Sequence, residues 1–162
     1  MSSSSSKIEL IAVDANGQLM ECDKPLSEFC ARICESYGPF YEKVGFELPW
    51  VGYFAREKDQ WVGSCGFKGP PINGRVEIAY VTSPEHREQG VATRMAAELL
   101  EIAKRSDSSI KIWAETMPEE SASTSILKKF DFERTSIAQD EEVGEVWVWE
   151  RVSTIEGADP RD

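Results

Sequence analysis

The chain has 162 residues, 41% of them hydrophobic, which is enough to bury one continuous core and corresponds to one domain of ordinary size. Its 29 acidic and 18 basic residues give a formal net charge of -11. Because this charge repels the phosphates of nucleic acids and attracts cationic amines, a nucleic-acid partner is disfavoured.

The chain ends and the cysteines predict neither a membrane protein nor a metal site. Residues 1–7 form a serine-rich run that lacks the apolar stretch of a secretory signal, and no window approaches the ~20 apolar residues of a membrane-spanning helix. The four cysteines show no Cys-x-x-Cys spacing, so we assign no disulfide and no metal. We expect a disordered segment 1–7 and a cytoplasmic protein without membrane contacts, as a monomer or homodimer.

The first half of the chain is predicted to form a strand, a helix and a three-stranded meander. Ile8 to Val13 has strand character and is followed by a turn at Asn16-Gly17. Pro25 opens a helix that runs through Tyr37 and is stopped by Gly38-Pro39. Three successive antiparallel strands follow, at Val51–Arg56, Trp61–Lys68 and Arg75–Thr82.

The second half is predicted to contain two helices and three strands. After Gly90, apolar residues recur at helical spacing and bury one side of a helix on the sheet. The remaining elements are a strand at Ile110–Glu115, a helix at Ser121–Phe130, and a terminal strand pair at Phe132–Gln139 and Glu145–Val152. Without repeats or a second core, the pattern predicts a single domain over residues 8–152 and a polar tail over 153–162.

A strand, a short turn and a helix start follow one another at residues 76–95, where Arg87, Gly90 and Ala92 have the spacing Arg-x-x-Gly-x-Ala. The first N–H groups of a helix have no partner within it, and the helix dipole adds about half a positive charge, so an anion is the natural ligand. Gly90 and Ala92 permit close approach, and Arg87 offers a guanidinium that matches phosphate geometry. The alternative is an ordinary junction whose glycine only eases the turn.

This segment resembles motif A of the GNAT acyltransferase superfamily, whose pattern is Arg/Gln-x-x-Gly-x-Gly/Ala after a strand. Further segments between Trp50 and Trp149 resemble, in the right order, the branch that includes ribosomal-protein N-terminal acetyltransferases. The resemblance implies an α+β fold with a mixed, mostly antiparallel central sheet of six to seven strands, flanked by helices and containing a splayed strand pair. It also implies acetyl-CoA as co-substrate, bound by a loop of Arg87, Glu88, Gln89, Gly90, Val91, Ala92 and Thr93.

The reaction implied by the resemblance is direct transfer of an acetyl group to a primary amine, on a small molecule or on a protein or peptide N-terminus. Glu77 is the candidate base, because the apolar residues around it in its strand would raise its pKa. Alternatively, Glu77 pairs with a basic group or holds the substrate amine as a counter-ion, and Glu115 and Glu120 are rival bases. The splayed strand implies that a backbone N–H near Val81 or Thr82 stabilises the oxyanion.

Departures from the family pattern lie near the expected reaction centre. Glu120 stands where this branch commonly has asparagine, and an inward-pointing anion there would repel the cofactor. Leu127 stands where many members have a tyrosine as general acid, whereas Asp131 replaces a glycine whose left-handed turn aspartate tolerates. Ser123 matches a serine of the branch and is the candidate proton donor to the thiolate, with helix capping, packing or a water-mediated proton as alternatives.

Two other classes of function stay open. The missing tyrosine and Glu120 favour a non-catalytic acyl-CoA-binding module that keeps the fold. A protein-interaction domain is the third class, and the intact loop Arg87–Thr93 argues against it.

Overall fold

One seven-stranded sheet organises the part of the chain that the structure, a computed structural model, describes, residues 7–20, 22 and 24–152. The expected serine-rich segment 1–7 lies outside this part except for Lys7, and the expected polar tail 153–162 lies wholly outside it. In chain order the strands are β1 Glu9–Ala12, β2 Gly52–Glu57, β3 Gln60–Phe67, β4 Arg75–Thr82, β5 Lys111–Thr116, β6 Phe132–Asp140 and β7 Gly144–Arg151. Their order across the sheet is β1-β2-β3-β4-β5-β7-β6.

Helices cover both faces of this sheet. They are α1 Glu28–Cys34, α2 Tyr37–Val44, α3 Val91–Ser106 and α4 Ala122–Lys129. Val91, Met95 and Leu99 of α3 are buried at the helical spacing that the sequence predicted. Within the described ranges, none of the helices has the length and apolar character needed to span a bilayer.

The pairing of the strands confirms the expected α+β fold, including its splayed strand pair. All neighbouring strands are antiparallel except β4 and β5, which are parallel and pair only at their beginnings, from Arg75 with Lys111 to Glu77 with Trp113. Beyond that point β4 pairs with β3 alone, and β5 pairs with β7 alone. A gap therefore opens between β4 and β5 and widens towards the C-terminal ends of both strands.

The predicted bounds of the first helix, Pro25 and Tyr37, are both wrong. It begins at Glu28 because Ser27 caps it, accepting a hydrogen bond from the Cys30 N–H (3.3 Å), and it ends at Cys34. Gly38 and Pro39 do not stop a helix but lie in the first turn of α2. Proline is tolerated there because the N–H that it lacks has no partner within the helix in any case.

Asp131, directly after α4, adopts the left-handed conformation that the sequence comparison required of it. Its φ is 71°, and its N–H donates to the Lys128 carbonyl oxygen (3.1 Å). Aspartate therefore replaces the family glycine without changing the turn, as expected.

Two glycines let helices approach the two faces of the sheet closely. A Cβ on Gly52 would lie 2.1 Å from the ring of Tyr37 in α2, and a Cβ on Gly63 would lie 3.0 Å from Met95 of α3. Gly52 pairs with Gly66, whereas Gly63 pairs with Ala55, so the two glycines face opposite sides of the sheet. Helix α2 therefore packs on one face, and α3 on the other.

Replacing Gly52 by alanine is expected to lower the free energy of unfolding by about 1–3 kcal/mol, since Tyr37 must move to admit the methyl group. Urea unfolding measures the change. The matched control is Gly38→Ala, within α2, where an added Cβ meets nothing within 4 Å and helix propensity predicts a gain of up to about 1 kcal/mol. An unchanged stability of G52A would show that α2 does not pack this closely.

Candidate active site

The turn between β4 and α3 leaves the start of a helix open to solvent. Thr82 ends β4, a short 3-10 turn occupies Pro84–His86, and residues 87–90 are exposed. Gly90 is the N-cap residue of α3 with φ 80°, a conformation that favours glycine. The first helical hydrogen bond runs from the Arg94 N–H to the Gly90 carbonyl oxygen (3.1 Å). The amides of Val91, Ala92 and Thr93 precede it, so the helix leaves them available to an anion.

A half-buried ion pair between Glu57 and Arg94 fixes this helix start to the sheet. The Arg94 guanidinium donates to both carboxylate oxygens of Glu57, whose side chain is 9% exposed at the end of β2. A Cβ on Gly90 would lie 2.7 Å from Arg94 Nη1, so a side chain there would have to displace the guanidinium that binds Glu57. The strand predicted at Val51–Arg56 stops one residue before Glu57, and no local pattern shows that Glu57 meets a residue 37 positions away.

The gap between β4 and β5 exposes backbone groups of β4 beside this loop. The backbone carbonyl oxygen of Glu77 accepts from the backbone N–H of Lys68, and the Ser83 N–H donates to the Val62 carbonyl oxygen. Odd-numbered residues of β4 therefore direct their backbone groups towards β3. In an antiparallel pair this direction alternates along the strand. The Val81 amide, one of the two expected oxyanion donors, therefore faces β3, whereas the amides of Thr82 and Tyr80 face the gap.

Glu77 is the last residue of β4 that pairs with β5, so it lies at the apex of the gap between these strands. Its side chain is 14% exposed, and its carboxylate lies 3.6 Å from Lys68 Nζ. Burial raises the pKa of Glu77 to about 7, Lys68 lowers it, and the carboxylates of Glu115 and Asp140 raise it further. A group with this pKa exchanges a proton readily near neutral pH. No local pattern predicts the influence of Asp140, the last residue of β6, which lies 63 positions further along the chain.

The rival carboxylate Glu120 does not point into the gap. Its side chain is 68% exposed and accepts hydrogen bonds from Lys128 and from the Thr124 hydroxyl, each at 3.1 Å. The hydrogen bond from Lys128 is the main cause that lowers the pKa of Glu120. The repulsion of a cofactor that an inward anion would cause is therefore absent. Glu115 on β5 is half-buried and close enough to Glu77 to affect its titration.

The helix-capping role considered for Ser123 is wrong. Ser121 caps α4 by accepting from the Thr124 N–H, and the Thr124 hydroxyl accepts from the Ser121 N–H in return. Ser123 is the second residue of the helix and is half-buried. The cap falls two residues earlier because the spacing to Thr124 closes a reciprocal capping box there.

A cavity of about 500 Å³ opens on the α2 face of the sheet, next to the gap. Its walls come from α1, α2, β3 and β4, and its lining includes Ile33, Tyr37, Phe40, Lys43, Lys68 and Val81. No local sequence pattern predicts this cavity, because its walls meet only in the folded sheet. Within the described ranges, His, Cys, Asp and Glu side chains form no group of three or more suited to a metal ion.

Comparisons with known proteins agree with this geometry. The family description "Acetyltransferase (GNAT) domain" matches residues 10–133. This chain belongs to the GNAT acetyltransferase family. The GNAT match covers both the loop at Gly90 and the splayed strands, and acetyl-CoA is the co-substrate of such enzymes.

Individual GNAT relatives share the fold but little sequence. An uncharacterized N-acetyltransferase p20 of Bacillus licheniformis is 30% identical over 88 residues, 54% of this chain and 49% of the relative. The chain thus matches about half the length of this curated relative. An acetyltransferase of Salmonella typhimurium that modifies the N-terminal serine of ribosomal protein L7/L12 has a TM-score of 0.64 at 14% identity, covering 92% of this chain and 96% of its own.

A coenzyme A complex is also among the structures with the same GNAT fold. RimL, a ribosomal L7/L12 alpha-N-protein acetyltransferase in complex with coenzyme A, has a TM-score of 0.63 at 15% identity. The match covers 91% of this chain and 95% of that one. This likeness shows the shared fold, and the assignment of Arg87–Thr93 as the cofactor loop stays a prediction for this chain.

Gly90→Asp is expected to abolish the stabilisation of this GNAT domain by acetyl-CoA. Wild-type protein should gain about 2.7 kcal/mol at roughly one hundred times the dissociation constant. Aspartate adds a negative charge and a Cβ at the helix start, where phosphate would bind. The measurement is thermal unfolding with and without acetyl-CoA. Gly74→Asp is the control, since Gly74 has a similar φ of 77° with open space around it but lies at the far end of β4. If acetyl-CoA still stabilises G90D, this loop is excluded as the binding site of the cofactor phosphates.

Glu77→Gln is expected to stabilise the protein at neutral pH and above. The raised pKa means that folded Glu77 holds its proton more tightly than the unfolded chain does. Its contribution to stability is complete below its ordinary pKa of 4.5 and is lost as the pH rises to about 7. The free energy of unfolding of the variant should therefore rise relative to that of wild type between pH 4.5 and about 7, as measured by urea unfolding at a series of pH values. Glu101→Gln, exposed on α3, should show no such trend. Parallel curves for E77Q and wild type would contradict the raised pKa.

Proposed function

We propose that this protein transfers the acetyl group of acetyl-CoA directly to a primary amine. The observation that carries the proposal is the opening of the sheet between β4 and β5, with a buried carboxylate at its apex and an open helix start at its mouth. A diphosphate bound at the amides of Val91–Thr93 places the rest of coenzyme A along the exposed edge of β4. The thioester then lies in the gap, within reach of an amine entering from the cavity.

In this mechanism Glu77 removes the first proton from the ammonium of the acceptor. The neutral amine attacks the thioester carbonyl carbon, forming the C–N bond and a negatively charged oxygen. The backbone amide of Thr82 or Tyr80 donates to that oxygen. The C–S bond then breaks, the nitrogen releases its second proton to solvent water, and the departing thiolate gains one proton. Ser123 stays the candidate donor of that proton, with a water-mediated proton as the alternative.

Burial of Glu77 supports its role as the base. Its pKa of about 7 leaves the carboxylate partly ionised at neutral pH, yet basic enough to take a proton from an ammonium. The Lys68 ammonium, 3.6 Å away, keeps a fraction of Glu77 ionised despite its burial. The resulting rate should rise with pH through about 7 as Glu77 loses its proton.

A non-catalytic acyl-CoA-binding module is the second candidate function. The observation that favours it is Leu127, which is fully buried at the position where many members of the family have a tyrosine. Helix α4 therefore offers no phenol to the thiolate from this position. Stabilisation by acetyl-CoA without release of free thiol in the presence of any amine would establish this alternative.

Glu77→Gln is expected to lower kcat/KM by about 10²- to 10⁴-fold, because glutamine cannot accept the proton of the ammonium. Thiol release from acetyl-CoA measures turnover, and thermal unfolding checks that acetyl-CoA still stabilises the variant. Glu115→Gln is the matched control, since it removes a neighbouring carboxylate on β5 and should retain most of the activity. Unchanged turnover in E77Q would remove Glu77 from the mechanism.

A further inference from the structure

The charges of the cavity are opposite to the charge of the chain. The whole sequence carries -11, which by itself would favour cationic ligands. The charged residues that line the cavity in the described part of the chain are nevertheless two lysines, Lys43 and Lys68. A second cationic group on an acceptor would meet repulsion here, whereas an anionic group would be attracted.

Both lysines lie at the end of the cavity nearest Glu77. Helix α2 runs along β3: Tyr37 at its start contacts Gly52 and Ser64, and Val44 at its end lies against Gly69. Lys43, the residue before Val44, therefore lies at the same end as Lys68, which precedes Gly69 and forms an ion pair with Glu77 at 3.6 Å. The two lysines line one polar end of the cavity, and the Glu77 carboxylate lies beside that end as the ion-pair partner of Lys68.

The other end of the cavity is mainly apolar, although the hydroxyls of Tyr37 and Ser64 meet there at 3.5 Å. Ile33, Tyr37, Phe40 and Val81 contribute to its walls there, and Tyr37 packs edge-on against Phe40 with ring centroids 6.2 Å apart. The cavity volume of about 500 Å³ is ample for an aliphatic or aromatic side chain. Transfer of such a side chain from water into this space is favourable.

We propose that the acceptor is a free α-amino acid with an apolar side chain. Its ammonium faces Glu77, its carboxylate faces Lys68 and Lys43, and its side chain fills the apolar end of the cavity. This assignment rests on the proposed acetyl transfer and names its substrate class. The ammonium and carboxylate of an amino acid are attached to one carbon, so their spacing suits the adjacent, opposite charges of Glu77 and Lys68. A peptide N-terminus has no carboxylate at that position.

The test compares acceptors that differ only in the carboxylate. Thiol release from acetyl-CoA is measured with phenylalanine, with phenylalaninamide as a mimic of a peptide N-terminus, with 2-phenylethylamine and with spermidine. We expect kcat/KM for phenylalanine to exceed that for 2-phenylethylamine by about 10- to 100-fold, the size expected for a charge-assisted contact. Lys43→Met and Lys68→Met should reduce this ratio towards one. Because both acceptors use the same base, any effect of K68M on Glu77 cancels in the ratio. Lys104→Met, on the opposite face, is the control and should leave the ratio unchanged.

Calorimetric titration of phenylalanine and 2-phenylethylamine in the presence of coenzyme A separates the two proposals. Turnover of 2-phenylethylamine, spermidine or phenylalaninamide at least as fast as phenylalanine overturns the amino-acid proposal and leaves acetyl transfer standing. Tighter binding of phenylalanine without thiol release from any acceptor supports the amino-acid site and overturns the enzyme. If phenylalanine neither binds nor is turned over, the amino-acid proposal is overturned, whatever the results with the other acceptors.

Discussion

The divergence of β4 from β5 after Glu77 and Trp113 is the constraint on which the site depends. Both strands continue past this point because each has a full partner on its other side, β3 for β4 and β7 for β5. Past Glu77 and Trp113, the N–H and C=O groups of β4 and β5 that face the gap are thereby left without a strand partner. Such groups are costly unless something bonds to them, so the gap is a place where a ligand with its own amide groups can replace a strand.

The same divergence determines the electrostatics of Glu77. At the apex the two strands still pair, so the carboxylate is enclosed and its pKa rises through loss of solvent. Charges brought by other elements then adjust it: Lys68 from the end of β3, Glu115 from β5 and Asp140 from the β6–β7 hairpin. A proton acceptor near neutrality thus results from the meeting of four strands and not from the local sequence around Glu77 alone.

Much of the fold was predictable because its signals are local. The three successive strands β2, β3 and β4, the helical spacing in α3, and the glycine that begins it are all visible in short windows, and the structure confirms them. The two-helix arrangement over 28–44 was not predictable, since Gly38-Pro39 is as compatible with a first helical turn as with a stop. The cap at Ser121 was missed for a similar reason, as three nearby serines compete for that role.

The site was predictable where one residue suffices and not where residues must meet. Glu77 could be recognised from its apolar neighbours in the strand, and the structure encloses it as expected. The contact of Glu57 with Arg94 and the approach of Asp140 to Glu77 join segments 37 and 63 residues apart. The cavity likewise depends on how α2 lies across β3, which Gly52 determines through the space that it leaves for Tyr37.

The ion pair between Glu57 and Arg94 has a thermodynamic consequence for any anion that binds at α3. It connects the last residue of β2 to the first turn of the helix, so the donors of this helix start are held in place before an anion binds. A ligand arriving there loses little affinity to the entropy of ordering a loop. The entropic cost of ordering this helix start is therefore already included in the folding of the chain, through a charge pair whose carboxylate is buried.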